Sequence, residues 1–266
     1  LQVLRPLVFE DGVSYKIQTV MDAISGKDGH QIKFFSQELG SDSAHWVLLA
    51  EAIVSQLAVS EATKSAEQLT LESILKAEVD LEKSWQNIEP SEIYQRYKDL
   101  HLDYGAAFRT VKSLKYQSNK SLGKFEIDDV RLLPALLDGC FQIAGLASPQ
   151  LDDKLTLLPI AIEKTQWFCE GTLAGWCFAE YISPENDEST IKNELAIKIG
   201  QVVKLDLSVF NTEKQLIAIV SGLTLKAVPK GQQGLVNLNS KAAQVLNIQW
   251  DKLVFDVSHD RANEYH

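Results

Sequence analysis

The sequence predicts an α+β fold in which antiparallel strands surround one buried helix. Residues 131–147 (RLLPALLDGCFQIAGLA) are apolar on almost every face, so a helix formed by them must be buried on most sides. Strand-like runs both precede and follow this segment. The chain has 266 residues, of which 45% are hydrophobic, enough for one large core or two small ones.

Three strand-like runs occupy the first 54 residues. Apolar side chains alternate in 8–21 around a turn at Asp11-Gly12, and a second turn at Asp28-Gly29 precedes the run 31–35. The run 46–54 is almost continuously apolar, and periodicity alone does not distinguish a strand from a short helix there. Together the three runs resemble consecutive strands of an antiparallel sheet.

The rest of the chain divides around the apolar helix. Residues 55–89 are expected to form a partly helical connector with a boundary near Val79, and Pro90-Ser91-Glu92 begin a helix with a plausible cap. Its apolar face consists of Ile93, Tyr94, Tyr97 and Leu100. The remaining predicted strands are 110–116, 123–127, 157–162, 176–182, 202–210 and 215–225. From Gly231 onward we expect a linker, with a short strand at 245–250.

One helix wrapped by an antiparallel sheet is the hotdog arrangement. We therefore predict three parts: an incomplete first hotdog with its connector over 1–79, a complete second hotdog over 80–229, and a C-terminal linker over 230–266. The first part offers strands and no central helix.

Composition and charge exclude several function classes. The formal net charge is −10, which disfavours binding to nucleic acid and to anionic membrane surfaces. The sequence has no membrane-spanning apolar run and no signal-peptide pattern. Its three cysteines form neither a disulfide framework nor a zinc pattern, so the cytoplasm is the expected compartment. The chain opens at Leu1 and its only methionine is Met21, so we expect a piece of a longer polypeptide.

Asp138 is the strongest candidate for chemistry. A carboxylate in the middle of an apolar helix is costly to bury unless it is paired or protonated. Desolvation would raise its pKa toward the range useful for a general acid. Gln142 follows one turn later on the same face and could hydrogen-bond to it. The alternative is that Asp138 bonds to a nearby backbone group or lies on an exposed strip of the helix.

Other candidate residues carry weaker signals. Tyr104 lies in a short segment, YGAAF, between a helix and a strand, where its hydroxyl could point into a pocket or its ring could simply pack in the core. The histidines are His30, His45, His101, His259 and His266, and none occurs in a catalytic motif. No phosphate-binding loop, nucleophile elbow or His-x-x-x-His metal spacing is present, so no metal site is expected.

Several segments together resemble the dehydratase domain of modular polyketide synthases. LLPALLDGCFQ at 132–142 closely resembles that family's Pro-x-Leu-Leu-Asp-x-x-x-Gln/His motif. YGAAF at 104–108 is similar to its Tyr-Gly-Pro-x-Phe motif, with alanine in place of proline. Supporting similarity comes from 157–168 and 218–228, which resemble later strands, and from 4–11 and 45–54, which resemble late strands of the first hotdog. The resemblance covers about residues 1–229.

The resemblance implies a double hotdog that dehydrates a 3-hydroxyacyl chain carried on the phosphopantetheine of an acyl carrier protein, with no other cofactor. In this family a histidine removes the α-proton and an aspartate protonates the departing hydroxyl. Asp138 is then the acid, Gln142 its orienting partner and Tyr104 a hydrogen-bonding residue of the pocket. The implied partners are the carrier protein, neighbouring synthase domains in the same polypeptide, and a second copy paired through the first hotdog.

The sequence departs from this family in one decisive respect. The family's His-x-x-x-Gly-x-x-x-x-Pro motif is absent, and neither His30, His45 nor His101 has glycine and proline at the required offsets. Loss of a general base costs about 10²–10⁴ in rate. The sequence therefore favours a chain without dehydratase activity, either a natural pseudo-dehydratase or a truncated view of an active enzyme.

Two further functions stay open. One is a non-catalytic structural or docking domain beside a methyltransferase or ketoreductase, which predicts a blocked tunnel next to Asp138. The other is cyclisation in a product-template or pyran-forming domain, with a base from elsewhere in the pocket. An incomplete first hotdog would also expose one sheet face. We therefore expect a neighbouring domain, a second copy or additional chain to cover that face.

Overall fold

The computed structural model describes residues 1–8, 12–26, 28–40, 45–56, 71–72, 74, 85–117, 119–128, 133–147, 154–168, 172–182 and 197–231. Residues 1–236 form one compact unit. The expected boundary at Val79, the turn residue Asp11 and the strand at 245–250 lie outside the described residues. Within the described part, no helix is long and apolar enough to span a membrane.

The described elements are mostly strands, as the sequence predicts. Four strands come from the first part: β1 (Gln2–Val3), β2 (Tyr15–Ala23), β3 (His30–Glu38) and β4 (Val47–Val54). The second part contains β5 (Gln86–Ile88), helix α1 (Pro90–Asp99), a 3₁₀ turn (Ala106–Phe108), β6 (Val111–Gln117), β7 (Lys120–Glu126), helix α2 (Leu133–Gly145), β8 (Leu155–Trp167), β9 (Ala174–Ile182), β10 (Val202–Asn211) and β11 (Leu216–Pro229).

All eleven strands belong to one antiparallel sheet in the order β2-β3-β4-β1-β8-β11-β10-β9-β7-β6-β5. The two-residue strand β1 joins the parts, because it pairs with β4 on one side and with β8 on the other. The N-terminal ammonium of Leu1 and the backbone N–H of Ile162 extend this junction with two hydrogen bonds. The sequence predicts strands in both parts, but it does not predict that they share one sheet.

Helix α2 lies against β6, β7, β9 and β10, in the position of a hotdog's central helix. The one proline of its sequence, Pro134, is the second helical residue and is exposed, so it breaks no interior hydrogen bond. The buried face of α2 contains Ala135, Leu136, Cys140, Ile143 and Ala144. Each fully buried large apolar side chain contributes about 1.5–3 kcal/mol, so this face fixes α2 on the sheet.

Helix α1 begins at Pro90, as the sequence predicts, although Glu89 makes no side-chain cap. Proline at the first helical position lacks only an N–H that would have no partner in the helix. Ile93 and Tyr97 are buried, while Tyr94 and Leu100 pack against the same core. The predicted apolar face of α1 is therefore confirmed.

Leu71 of the connector packs on the opposite face of the sheet in the second part. Leu71 is buried together with Leu122, Phe178, Phe210 and Leu216. Within the connector the structure describes 55–56, 71–72, 74 and 85–89. Leu71, Glu72 and Ile74 are helical, in agreement with a partly helical connector, whereas Gln86–Ile88 form the strand β5, which the connector interpretation does not predict. The second part therefore has α2 on one face of its sheet and Leu71 of the connector on the other.

The sheet of the first part has an apolar face that stays exposed in the single chain. The register places Met21 opposite Ile32, and Ile32 opposite Ala52. Because side chains alternate along a strand, Ile17 and Val54 lie on that same face. Ile17, Met21 and Val54 are 54%, 63% and 50% exposed. We predict from the incomplete first hotdog that a neighbouring domain, a second copy or additional chain covers this face, and this stays a prediction.

Candidate active site

Asp138 lies midway along α2, between the buried face of the helix and the 3₁₀ turn. Its side chain is partly buried. Burial raises the pKa of the Asp138 carboxyl, and a hydrogen bond from Gln142 opposes this effect. A carboxyl with a raised pKa keeps its proton to higher pH, which is what a general acid requires.

Gln142 holds the carboxyl in place. Its Nε2 donates to Asp138 Oδ2 at 2.7 Å and to the backbone carbonyl of Phe108 at 2.9 Å. Both neighbours are acceptors, so the amide nitrogen must face them, and the buried Oε1 is left without a partner in the described structure. An unsatisfied buried acceptor costs about 1–3 kcal/mol. This cost accompanies an arrangement in which both N–H groups of Gln142 are bonded, one to Asp138 and one to the 3₁₀ turn.

Three tyrosines surround this pair. The ring of Tyr104 meets Tyr97 edge-on at 5.3 Å between centroids and Tyr94 at 6.3 Å. Burial raises the pKa of Tyr104, and the negative charge of Asp138 raises it further. Burial also raises the pKa of Tyr94 to about 12 and that of Tyr97 well above its usual value. All three hydroxyls therefore remain protonated at neutral pH.

The tyrosine hydroxyls have different partners. Tyr97 donates to the backbone carbonyl of Gln142, one of the last four carbonyls of α2 and so without a partner inside the helix. Tyr94 accepts a 2.9 Å bond from the backbone N–H of Val111. Within the described part of the chain, the Tyr104 side chain makes no hydrogen bond.

Arg109 closes the loop that carries Tyr104. Its Nε donates to the Tyr104 carbonyl at 2.8 Å, and its guanidinium lies 5.6 Å from the centre of the Tyr94 ring. A weaker ion pair joins it to Asp103 at 3.7 Å.

The structure brings together the three residues that the sequence singled out, Asp138, Gln142 and Tyr104.

The described histidines do not take part in this site. His30 begins β3, His45 precedes β4, and His101 is exposed in the turn after α1. None of these three forms a hydrogen bond with Asp138 in the described part of the chain. The residues that the structure describes contain no cluster of three or more potential metal ligands.

Comparison with known proteins identifies the family. The model of the polyketide synthase dehydratase N-terminal domain matches residues 75–234, more than half of the chain. The chain belongs to the polyketide synthase dehydratase family. This match includes α1, the 3₁₀ turn and α2, and therefore every side chain of the candidate site.

Curated relatives of this dehydratase chain are far longer than it is. Polyketide synthase PksN of Bacillus subtilis (strain 168) is 21% identical over 255 residues, which are 93% of this chain and 4% of the relative. Polyketide synthase PksL of the same organism is 25% identical over 161 residues, 55% of this chain and 3% of the relative. The chain therefore spans only a small fraction of the length of these relatives.

Solved structures confirm the hotdog fold. The dehydratase domain from the CurF module of curacin polyketide synthase has a TM-score of 0.65 at 23% identity, covering 85% of this chain and 74% of its own. The CurK dehydratase domain has a TM-score of 0.61 at 23% identity, covering 86% and 72%. At this level of identity the likeness concerns the fold alone.

Sequence reasoning missed several residues of the candidate site. Tyr94 and Tyr97 looked like core residues on the face of α1, although two hydroxyls one turn apart on a buried face are a signal of a polar site. Arg109 follows YGAAF directly, yet nothing in its spacing reveals the bond back to Tyr104. The Phe108 carbonyl carries no sequence signal, since any residue supplies that group.

Proposed function

We propose that Asp138 is the general acid of a dehydratase site that handles 3-hydroxyacyl chains carried on an acyl carrier protein. The observation that carries the proposal is the partly buried Asp138 carboxyl, with its raised pKa, held by Gln142 close to Tyr104. A carboxyl that holds its proton to higher pH can protonate a hydroxyl as its C–O bond breaks.

The complete reaction also needs a base. A base removes the proton from the carbon α to the thioester, the electron pair forms the α,β-double bond, and the hydroxyl leaves as water with the proton from Asp138. Asp138 then holds a negative charge until a proton returns. The Tyr104 hydroxyl, which stays protonated, can donate to the substrate or to this carboxylate during the step.

We further propose that the chain of 266 residues does not dehydrate by itself, because the family's histidine motif is absent from its sequence. Two curacin dehydratase structures support the need for both groups in relatives. One carries a histidine-to-phenylalanine substitution and the other an aspartate-to-asparagine substitution, and both are described as inactive mutants.

The test follows the acyl group by mass. The chain is incubated with a 3-hydroxyacyl carrier protein, and intact-mass spectrometry records loss of one water, with Asp138→Asn as the matched variant. We expect no loss from the chain alone, and loss from the polypeptide in its full natural length only while Asp138 is present. Dehydration by the isolated chain would contradict the proposed lack of a base. Dehydration by the full-length Asp138→Asn variant would contradict the assigned acid.

A non-catalytic docking role is the second candidate. The apolar sheet face of the first part, with the exposed side chains of Ile17, Met21 and Val54, favours it. Exposed apolar side chains on one sheet face are typical of a surface that contacts another protein or domain. A full-length polypeptide that never dehydrates, with or without Asp138, would favour this role.

A further inference from the structure

We propose that Arg109 is a positioning residue, which holds the 104–108 loop so that the Phe108 carbonyl and the Gln142 amide together orient the Asp138 carboxyl. The proposal rests on the proposed role of Asp138 as the acid. Arg109 touches neither Asp138 nor Gln142 through its side chain, so its effect must pass through the loop. The steps of that connection are all hydrogen bonds in the described structure.

The first step is closure of the loop. The Arg109 side chain folds back over the 3₁₀ turn and donates from Nε to the Tyr104 carbonyl. The guanidinium also lies over the Tyr94 ring, whose hydroxyl is fixed by Val111 at the start of β6. The side chain of Arg109 therefore ties the first residue of the loop to the ring of α1 that packs beside it. The ring of the same residue, Tyr104, packs edge-on against Tyr97.

The second step is the peptide group between Phe108 and Arg109. Its N–H donates to the Ala106 carbonyl at 3.2 Å, and its carbonyl accepts from Gln142 at 2.9 Å. A peptide group is planar, so fixing the N–H on one side fixes the direction of the carbonyl on the other. The backbone N–H of Arg109 holds this plane directly, while its side chain holds the same loop at Tyr104.

The third step is the amide of Gln142. One of its N–H groups is bound to the Phe108 carbonyl and the other to Asp138, while its Oε1 has no partner in the described part. The amide therefore has no other anchor against rotation. If the loop shifts, the amide loses one of its two bonds, and the Asp138 carboxyl loses the fixed direction of its donor.

The chain offers a closely matched control in Arg96. This second arginine also lies over a tyrosine ring, 5.7 Å from the centre of Tyr116, and also bonds within a surface network, to Glu92 at 2.7 Å. Arg96 and Arg109 have similarly exposed side chains, 43% and 51%. Arg96, however, has no bond to the 104–108 loop. A difference between the two substitutions therefore isolates the connection to the loop.

The experiment compares Arg109→Met with Arg96→Met, because methionine retains the apolar stem and removes every donor. Hydrogen exchange of the Gln142 side-chain amide, observed by NMR of the chain and assigned with Gln142→Leu, reports the loop without any need for activity. We expect exchange about tenfold faster in Arg109→Met and unchanged in Arg96→Met, as loss of one hydrogen-bonded anchor predicts. Arg109→Lys, which keeps a donor, should restore part of the protection.

Turnover in the full-length polypeptide gives the second readout. We expect Arg109→Met to lower kcat about tenfold with little change in KM, as for a misplaced acid. Unchanged exchange in Arg109→Met overturns the proposal. A raised KM with unchanged kcat also overturns it, because Arg109 would then bind the carrier or its substrate directly. If the wild-type polypeptide never dehydrates, the proposed function fails while the exchange result still decides the role of Arg109.

Discussion

Gly139, the residue after Asp138, packs against Thr110, which lies between the 3₁₀ turn and β6. A Cβ added at Gly139 would lie 2.1 Å from Oγ1 of Thr110, about 1.3 Å short of the 3.4 Å at which ordinary contact begins. Thr110 is only 3% exposed, so no solvent-filled space is available for it to move into. Gly139→Ala must therefore displace Thr110, α2 or both.

The expected loss of unfolding free energy in Gly139→Ala lies at the upper end of the range for overpacked cores. Such substitutions cost about 1–3 kcal/mol, and an overlap this deep in a buried place points to about 3 kcal/mol. Rotation of Thr110 gives little relief, because a β-branched side chain that turns its oxygen away brings its methyl group into the core. For a folded unit of this size, 3 kcal/mol lowers Tm by about 6–12 °C.

A double-mutant cycle tests this reasoning. Thr110→Ala removes Oγ1 and leaves Cβ at 3.3 Å from the added methyl group, which the core can accommodate. The hydroxyl bond lost with it, to the Ala135 carbonyl, is long at 3.5 Å, so Thr110→Ala alone should cost less than about 1 kcal/mol. Urea unfolding of the four proteins should give a favourable coupling of about 2 kcal/mol. A Gly139→Ala chain as stable as wild type, or a coupling near zero, would refute the packing argument.

Three further predictions concern stability. Thr156 is fully buried with an Oγ1 that has no partner in the described part, so Thr156→Val should stabilise the chain by about 1 kcal/mol in urea unfolding; Thr224→Val, which removes a bond to the Gly222 carbonyl, should not. Because burial raises the pKa of Asp138, the folded chain binds that proton more tightly than the unfolded chain. Its free energy of unfolding should therefore fall as pH rises from about 4 through the raised pKa, and Asp138→Asn should remove this fall; parallel pH profiles of the two would contradict it. His101, two residues after the end of α1, has a φ of 60°, so His101→Gly should stabilise the chain by about 0.5–1 kcal/mol and raise Tm. A lower Tm would count against backbone strain at His101.

The sequence predicts the second part of the fold well because its signals are local. The apolar run around Asp138 can only be a buried helix, and the strand runs of 202–210 and 215–225 alternate strongly enough to be recognised. They appear in the structure as β10 and β11, slightly longer than predicted. Pairing between distant strands has no such local signal. The junction of β1 with β8 depends on Gln2 and Val3, whose side chains do not predict which strand they pair with.

The candidate site follows the same division. Asp138 and Gln142 are one helical turn apart, so their hydrogen bond follows from helix geometry alone. Tyr104 comes from a segment more than thirty residues earlier, and its place beside Asp138 depends on how α1 and the 3₁₀ turn pack on α2. Backbone groups such as the Phe108 carbonyl are invisible to sequence reasoning because their direction, and not their chemistry, makes them part of the site.

The contacts that hold Asp138 all come from residues between α1 and the end of α2. The Gln142 amide, the Phe108 carbonyl and the Tyr97 hydroxyl belong to the second part, while the first part joins the sheet through β1. The hydrogen bonds around Asp138 can therefore form without any contribution from the first part. An intact Asp138 geometry is thus expected both in an active dehydratase and in one that has lost its base. The decisive observation is whether a base reaches the substrate, which the full-length dehydration assay measures and the geometry of the acid does not.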